Sequence, residues 1–357
     1  MAVTYHAGRR IQGTSTDFGD NGAGIPAVSG GWVELGRTTL GSAGDNIDVT
    51  SLPDKRYYMV LGDFRSSGNT IPSLRFNSDT GTNYARRQSN NGGADATATS
   101  ANVISWGSTD SAPSQKFGFG YLANLTSKEK LWIAQMGESG TAGATNTTNR
   151  REVVAKWANT SNSISSVNVV NQSTGDFTSG SECVVLGWDP ADTHTTNFWE
   201  ELASVELGSA GGLSSGTFTA KKYLWVQAYT ADAVSGSPDG YVEFNADSGT
   251  NYSHRRSHNG GADTTGTSDG IGIRIDGSGG TTPKFHNMFI VNNSANEKLV
   301  IAHSITQQTA GAGAAPTRTE SVGKWVNTSS QITRVDIINQ SAIDWGAGSI
   351  IKVWGSD

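Results

Sequence analysis

FNSDTGTNY, from Phe76 to Tyr84, recurs as FNADSGTNY, from Phe244 to Tyr252. The two copies lie 168 positions apart, and the same offset carries Asn91, Gly92 and Gly93 onto Asn259, Gly260 and Gly261, and Lys156 and Trp157 onto Lys324 and Trp325. The chain is therefore a tandem duplication. Each copy predicts a hairpin tip: an aromatic strand residue, an Asn/Asp/Ser/Gly turn with glycine placed for positive φ, and a second aromatic strand.

The repeat divides the 357 residues into an amino-terminal arm, 1–31, a first unit, 32–189, and a second unit, 190–357. Each unit is long enough to bury its own core. Charged residues are scarce at 16 %, glycine is abundant at 45 residues, and aromatics are scattered singly, a composition that suits short strands and many turns. An all-β fold follows: two tandem antiparallel β-sandwich domains behind an extended arm.

The formal charge is −6, and no segment has a basic excess. Nucleic-acid binding is not expected. The pairs Arg86, Arg87 and Arg255, Arg256 read as solvated strand residues or ion pairs between subunits. Cys183, the single cysteine, excludes an internal disulfide framework and has Ile351 as its repeat partner, so it reads as a buried apolar residue. MAVTYHAGRRIQG at the amino terminus has no apolar signal region, and no stretch has the roughly 18 apolar residues of a membrane helix. Synthesis in the cytoplasm without export, and no membrane partner, are the expectations.

The arm is rich in Gly, Ser and Ala and has little to form a core. It is expected to strap onto the chain's own domains or a neighbouring subunit, with Tyr5, Arg9, Arg10 and Ile11 as anchors. The first unit opens with WVELGRTTLGSAG from Trp32, echoed by WEELASVELGSAG from Trp199. YYMVLGDF from Tyr57 and YLWVQAYT from Tyr223 read as central strands covered on both faces. KFGFGYLANLTSKEKLWIAQM from Lys116 and KFHNMFIVNNSANEKLVIAHS from Lys284 read as hairpins. Eight to ten strands per unit are expected, and the short junction from Asp189 means that the units touch.

WVELGRTTL, RYYMVL, LRFNSDTGTNY, KWANTS and the closing Phe177 to Gly187 segment resemble, in that order, a jelly-roll module of structural proteins from tailed phages and other viruses of aquatic microbes. Such modules are described as concanavalin-like or lectin-like. The resemblance covers nearly all of both units and implies a virion component, made in the host cytoplasm. It is a pattern of strands and turns, without a catalytic signature.

Asn77, Asp79 and Asn83, with Asn245, Asp247 and Asn251, alternate oxygen-bearing side chains as a calcium loop would. One Asp per copy is too few carboxylates, and an Asx-type turn is preferred. His254 and His258 are four apart on a strand and about 13 Å from each other along it, which is no zinc site. GLSSG from Gly212 matches a nucleophile elbow only by composition. Shared acids such as Glu34 and Glu201, or Glu152 and Glu320, are expected of any duplicated scaffold, so neither catalysis nor a cofactor is expected. Trp106 sits where the second unit has Arg274, and with His254 it marks the loops most suited to stacking on a sugar.

These readings favour a non-enzymatic virion building block, a capsid-attached decoration or auxiliary protein that associates with itself and with the shell. A trimer would supply six similar domains around one axis. The alternative is a tail-fibre or spike-type module recognising host surface glycans.

Overall fold

The computed structural model describes residues 31–357 apart from 110–112, 191, 193–196, 232–239, 274–281, 308–310 and 340–342. The arm and its expected anchors Tyr5, Arg9, Arg10 and Ile11 lie outside the described residues. Among the described residues all regular structure is strand.

The first unit runs β1 Val33–Thr39, β2 Asn46–Val49, β3 Tyr57–Arg65, β4 Pro72–Phe76, β5 Tyr84–Asn90, β6 Ala96–Ala101, β7 Ile104–Ser105, β8 Gln115–Ala123, β9 Lys130–Glu138, β10 Asn149–Trp157, β11 Val167–Asn171 and β12 Glu182–Trp188. The second runs β13 Glu200–Glu206, β14 Leu213–Ser214, β15 Tyr223–Thr230, β16 Gly240–Phe244, β17 Tyr252–His258, β18 Thr264–Ser268, β19 Ile271–Gly272, β20 Lys284–Val291, β21 Lys298–Thr306, β22 Thr317–Trp325, β23 Val335–Asn339 and β24 Ile350–Ser356. Each unit is an antiparallel jelly-roll sandwich of one eight-stranded and one four-stranded sheet. Their orders are β1-β12-β3-β8-β9-β10-β5-β6 and β2-β11-β4-β7, repeated position for position in the second unit.

The duplicated stretch is not a hairpin tip. β4 belongs to the small sheet and β5 to the large one, so the segment between them is a corner that carries the chain across the sandwich. Phe76 and Tyr84 must both enter the core, and each does so from its own sheet. The Tyr84 hydroxyl accepts from Phe76 N at 3.0 Å and ties the two layers together. Positive φ falls on Asn77 and Ser78, both at 54°, and not on the glycine. Two left-handed residues closed by Asp79 N donating to Phe76 O make a type I′ turn, which Asn favours. True hairpins follow at Asn91–Gly92 and Asn259–Gly260, again with paired positive φ.

Inside each unit one apolar core lies between the large and small sheets, with Trp106, Trp132 and Trp157 in the first and Trp325 and Trp345 in the second. A third core lies between the units. It brings Met59, Leu61, Phe117 and Phe119 of the first large sheet against Tyr223, Phe289, Leu299, Ile301 and Val322 of the second, with the junction residues Phe198 and Trp199 wedged in. The molecule is thus four layers deep, small sheet, large, large and small, and its two halves are stacked, as the short junction suggested. β3 is covered on both faces for this reason.

Candidate functional site

The outer faces of the two large sheets decide what the molecule can touch. Where they meet, Phe119 and Phe289 rings are 4.4 Å apart, and Phe117 lies 6.3 Å from Tyr223. Polar groups close the edge: Glu182 accepts from the Tyr223 hydroxyl at 2.8 Å and from Lys222 at 2.9 Å, and Asp63 accepts from Asn293 at 2.7 Å. Arg150 reaches Asp263 at 2.8 Å and Glu320 at 3.2 Å, with little exposure on any of the three. Such buried charges are held because each has a partner across the boundary.

The contact leaves part of each face uncovered. Its limit is the pair Gln135 and His303, whose side-chain nitrogens are 2.5 Å apart. To one side, Gly137 receives the second unit: a Cβ there would lie 3.4 Å from Val322 Cγ1 and 3.6 Å from Ile301 Cγ1. β9 and β21 therefore run in opposite directions across the boundary, so Ile133 and Ile305 both fall on its other side. Ile133 is 63 % exposed and Ile305 44 %. The two sheets diverge there.

Two apolar rows line the open side. Tyr121, Ile133 and Val154 are cross-strand neighbours on β8, β9 and β10, with Leu131 beside them. Tyr229, Phe285 and Ile305 are neighbours on β15, β20 and β21. All seven side chains are at least 38 % exposed. Repeat partners of the first row, Phe289, Ile301, Val322 and Leu299, are buried in the boundary at 2 % exposure or less. The seven exposed side chains form two contiguous apolar rows, not singly scattered surface residues.

The corner residues have another role. Asp79 accepts from the Trp157 indole at 2.7 Å, from Asn83 and from Gly81 N. Asp247 does the same with Trp325, Asn251 and Gly249. Burial pushes both carboxyls up, but these donors, the indole first, hold them below the usual carboxylate range. The Asn77 and Asn245 side chains cap the backbone before β11 and β23. The six residues form two Asx-type turns whose oxygens already serve the fold. Among the described residues no group of three or more His, Cys, Asp or Glu is arranged to hold a metal ion.

Trp106 is fully buried, edge-on to Phe64 and Trp132, with its indole donating to Gln135 O. His254 is 3 % exposed on β17, and burial, then Arg256, push its pKa down to about 4. Neither faces a ligand. Trp106 lies in the core because glycines on the strands above it, Gly62 and Gly118, leave the space that its ring occupies. Cys183 is buried in the first core, and burial pushes its thiol up.

A cavity of about 390 Å³ lies on the outer face of the second small sheet, where Ser214, Asp336 and Glu243 form one cross-strand row. Burial, then Asp269, Asp336 and Asp247, push the Glu243 carboxyl up to about 7, with Arg334 opposing. In the first unit the equivalent row is Asp48, Asn168 and Arg75, which carries its own cation.

No protein-family model and no curated protein sequence matches the chain. Among solved structures it is similar to domains LG4-5 of the mouse laminin alpha1 chain, at 10 % identity and a TM-score of 0.18, over 92 % of this chain and 91 % of that one. It is also similar to the LG1-3 region of the laminin alpha2 chain, at 8 % identity and a TM-score of 0.20, over 90 % and 62 %. At such scores neither likeness bears on function.

Proposed function

We propose that the chain is a structural component of a virion, a capsid-attached decoration or auxiliary protein that works by association and not by catalysis. The observation that carries this reading is the pair of exposed apolar rows, Tyr121, Ile133 and Val154 with Tyr229, Phe285 and Ile305, on a four-layer block. Burying a Leu or Ile side chain that is otherwise exposed contributes roughly 1.5–3 kcal/mol, so a row of three is enough to drive a specific contact. The resemblance of the strand motifs to virion jelly-roll modules supports the setting, and association with further copies and with a shell follows from it. Mass spectrometry of purified particles of the virus that encodes the chain tests the reading. Many copies per particle are expected; confinement to the lysate of infected cells would overturn it.

A tail-fibre or spike-type module for host surface glycans is the second reading. Trp106 and His254 no longer carry it, and the cavity beside Glu243 does. Binding of the purified chain to an array of microbial surface glycans, lost on Glu243→Gln, would favour it.

A further inference from the structure

We infer that the cavity of the second unit binds a primary ammonium on an aliphatic stem, the side chain of a lysine on a docking partner. Glu243 is only 8 % exposed and lines the cavity, and its side chain has neither a hydrogen-bond nor an ion-pair partner among the described residues. Its cross-strand neighbour Asp336 is 5 % exposed, and its Oδ2 is likewise without a partner. Arg334 does not fill the gap, because its Nε and Nη2 are both committed to Asp336 Oδ1 at 2.9 Å. A carboxylate left this way costs free energy until a cation arrives.

The duplication shows what is missing. At the position of Glu243 the first unit has Arg75, and at the position of Asp336 it has Asn168, which donates to Asp48 at 2.9 Å. That unit supplies its own cation to the row. The second unit has an acid in that place and a cavity over it; its one cation in the wall, Arg334, is committed to Asp336 Oδ1, which leaves the Glu243 carboxylate in excess and facing the cavity. An ammonium suits the place better than a metal ion. Calcium takes six to eight oxygens; the wall offers Glu243, Asp336, the exposed Asp344 and the Ser214 hydroxyl, and among the described residues no three acids are grouped to hold a metal ion. Ile338 and Ile343, also in the wall, offer apolar surface to a stem of methylenes. This assignment rests on the cavity alone and stands whether or not the chain is a virion component.

The test is a titration of the full chain, labelled at isoleucine methyl groups, with Nα-acetyl-lysine methylamide followed by NMR. Saturable shifts at Ile338 and Ile343 are expected. The Nε-acetylated probe should give none. Glu243→Gln, which keeps shape and removes charge, should weaken binding about tenfold or more, the scale of a lost charged hydrogen bond. Unchanged affinity in that variant, equal binding of the Nε-acetylated probe, no saturation, or displacement of the probe by calcium would each overturn the inference. Glucosamine binding as tightly as the lysine probe would also overturn it and would return the cavity to the glycan reading.

Discussion

Gln135 of β9 and His303 of β21 occupy equivalent positions in the two repeats and touch each other, 2.5 Å apart, at the line where the large sheets begin to diverge. Along β9 and β21, the outward-facing residues on one side of that line are core and those on the other are surface. Equivalent residues therefore have opposite fates. Ile301 is 2 % exposed and Ile133 63 %. Ile301→Ala should cost about 2–5 kcal/mol, as for a large-to-small core change, and Ile133→Ala within about 0.5 kcal/mol. Chemical denaturation of the two variants checks this.

Gly137 admits the second unit, and its repeat partner is Ile305. Gly137→Ile should force Ile301 and Val322 outward and destabilise the boundary by about 1–3 kcal/mol, as overpacking does. Calorimetry should then show two transitions where the parent shows one.

Asp79→Ala and Asp247→Ala should each cost about 1–3 kcal/mol, because the buried indole N–H of Trp157 or Trp325 loses its acceptor. Calcium or a chelator should leave the thermal midpoint of the parent unchanged, since those carboxylates are already occupied by donors of the fold.

How much of this was legible beforehand follows from what periodicity can report. The duplication, the all-β class and β3 as a strand covered on both faces were readable, because repeat offsets and two-sided apolar strands depend only on local pattern; β15 is covered on both faces only in part, with Tyr229 40 % exposed. The corner at Asn77 was not: a type I′ turn is the same object inside a hairpin and between sheets, and only the pairing of β4 and β5 with other strands separates them. Arg274, the partner of Trp106 in the second unit, reads as the mark of an exposed loop, yet Gly62 and Gly118, which make room for the Trp106 ring in the core, lie far away in sequence. The exposed rows were hidden in plain alternation, since Leu131 and Ile133 look like any core strand. The exchange of Arg75 for Glu243 and of Asn168 for Asp336 was visible by aligning the repeats, but its burial was not.

Acid should destabilise the second unit. Burial holds His254 at about 4 and His286, with Lys284 adding to the effect, at about 3, both below the usual 6.5. The unfolded chain binds those protons first, so stability is full above pH 6.5 and is lost as pH falls from there toward the folded values. Glu243 acts in the opposite sense. Its raised pKa means that its burial costs most above pH 7 and is relieved as pH falls toward 4.5. Glu243→Gln should accordingly stabilise the chain at pH 8, on the order of 1–3 kcal/mol, and hardly at all at pH 4.5. Between pH 6.5 and 5 the two histidines outweigh the single carboxyl, and the midpoint should drop. Urea unfolding across this range measures both effects.

The measurement that bears most directly on the central claim is the mass of the purified chain in solution, by light scattering over a range of concentrations, for the parent and for Ile133→Asp. The exposed rows predict a defined oligomer that Ile133→Asp reduces to monomer without changing the thermal midpoint. A parent that stays monomeric at every concentration, or an oligomer that Ile133→Asp leaves intact, would contradict the assignment of those rows as the surface through which the protein assembles.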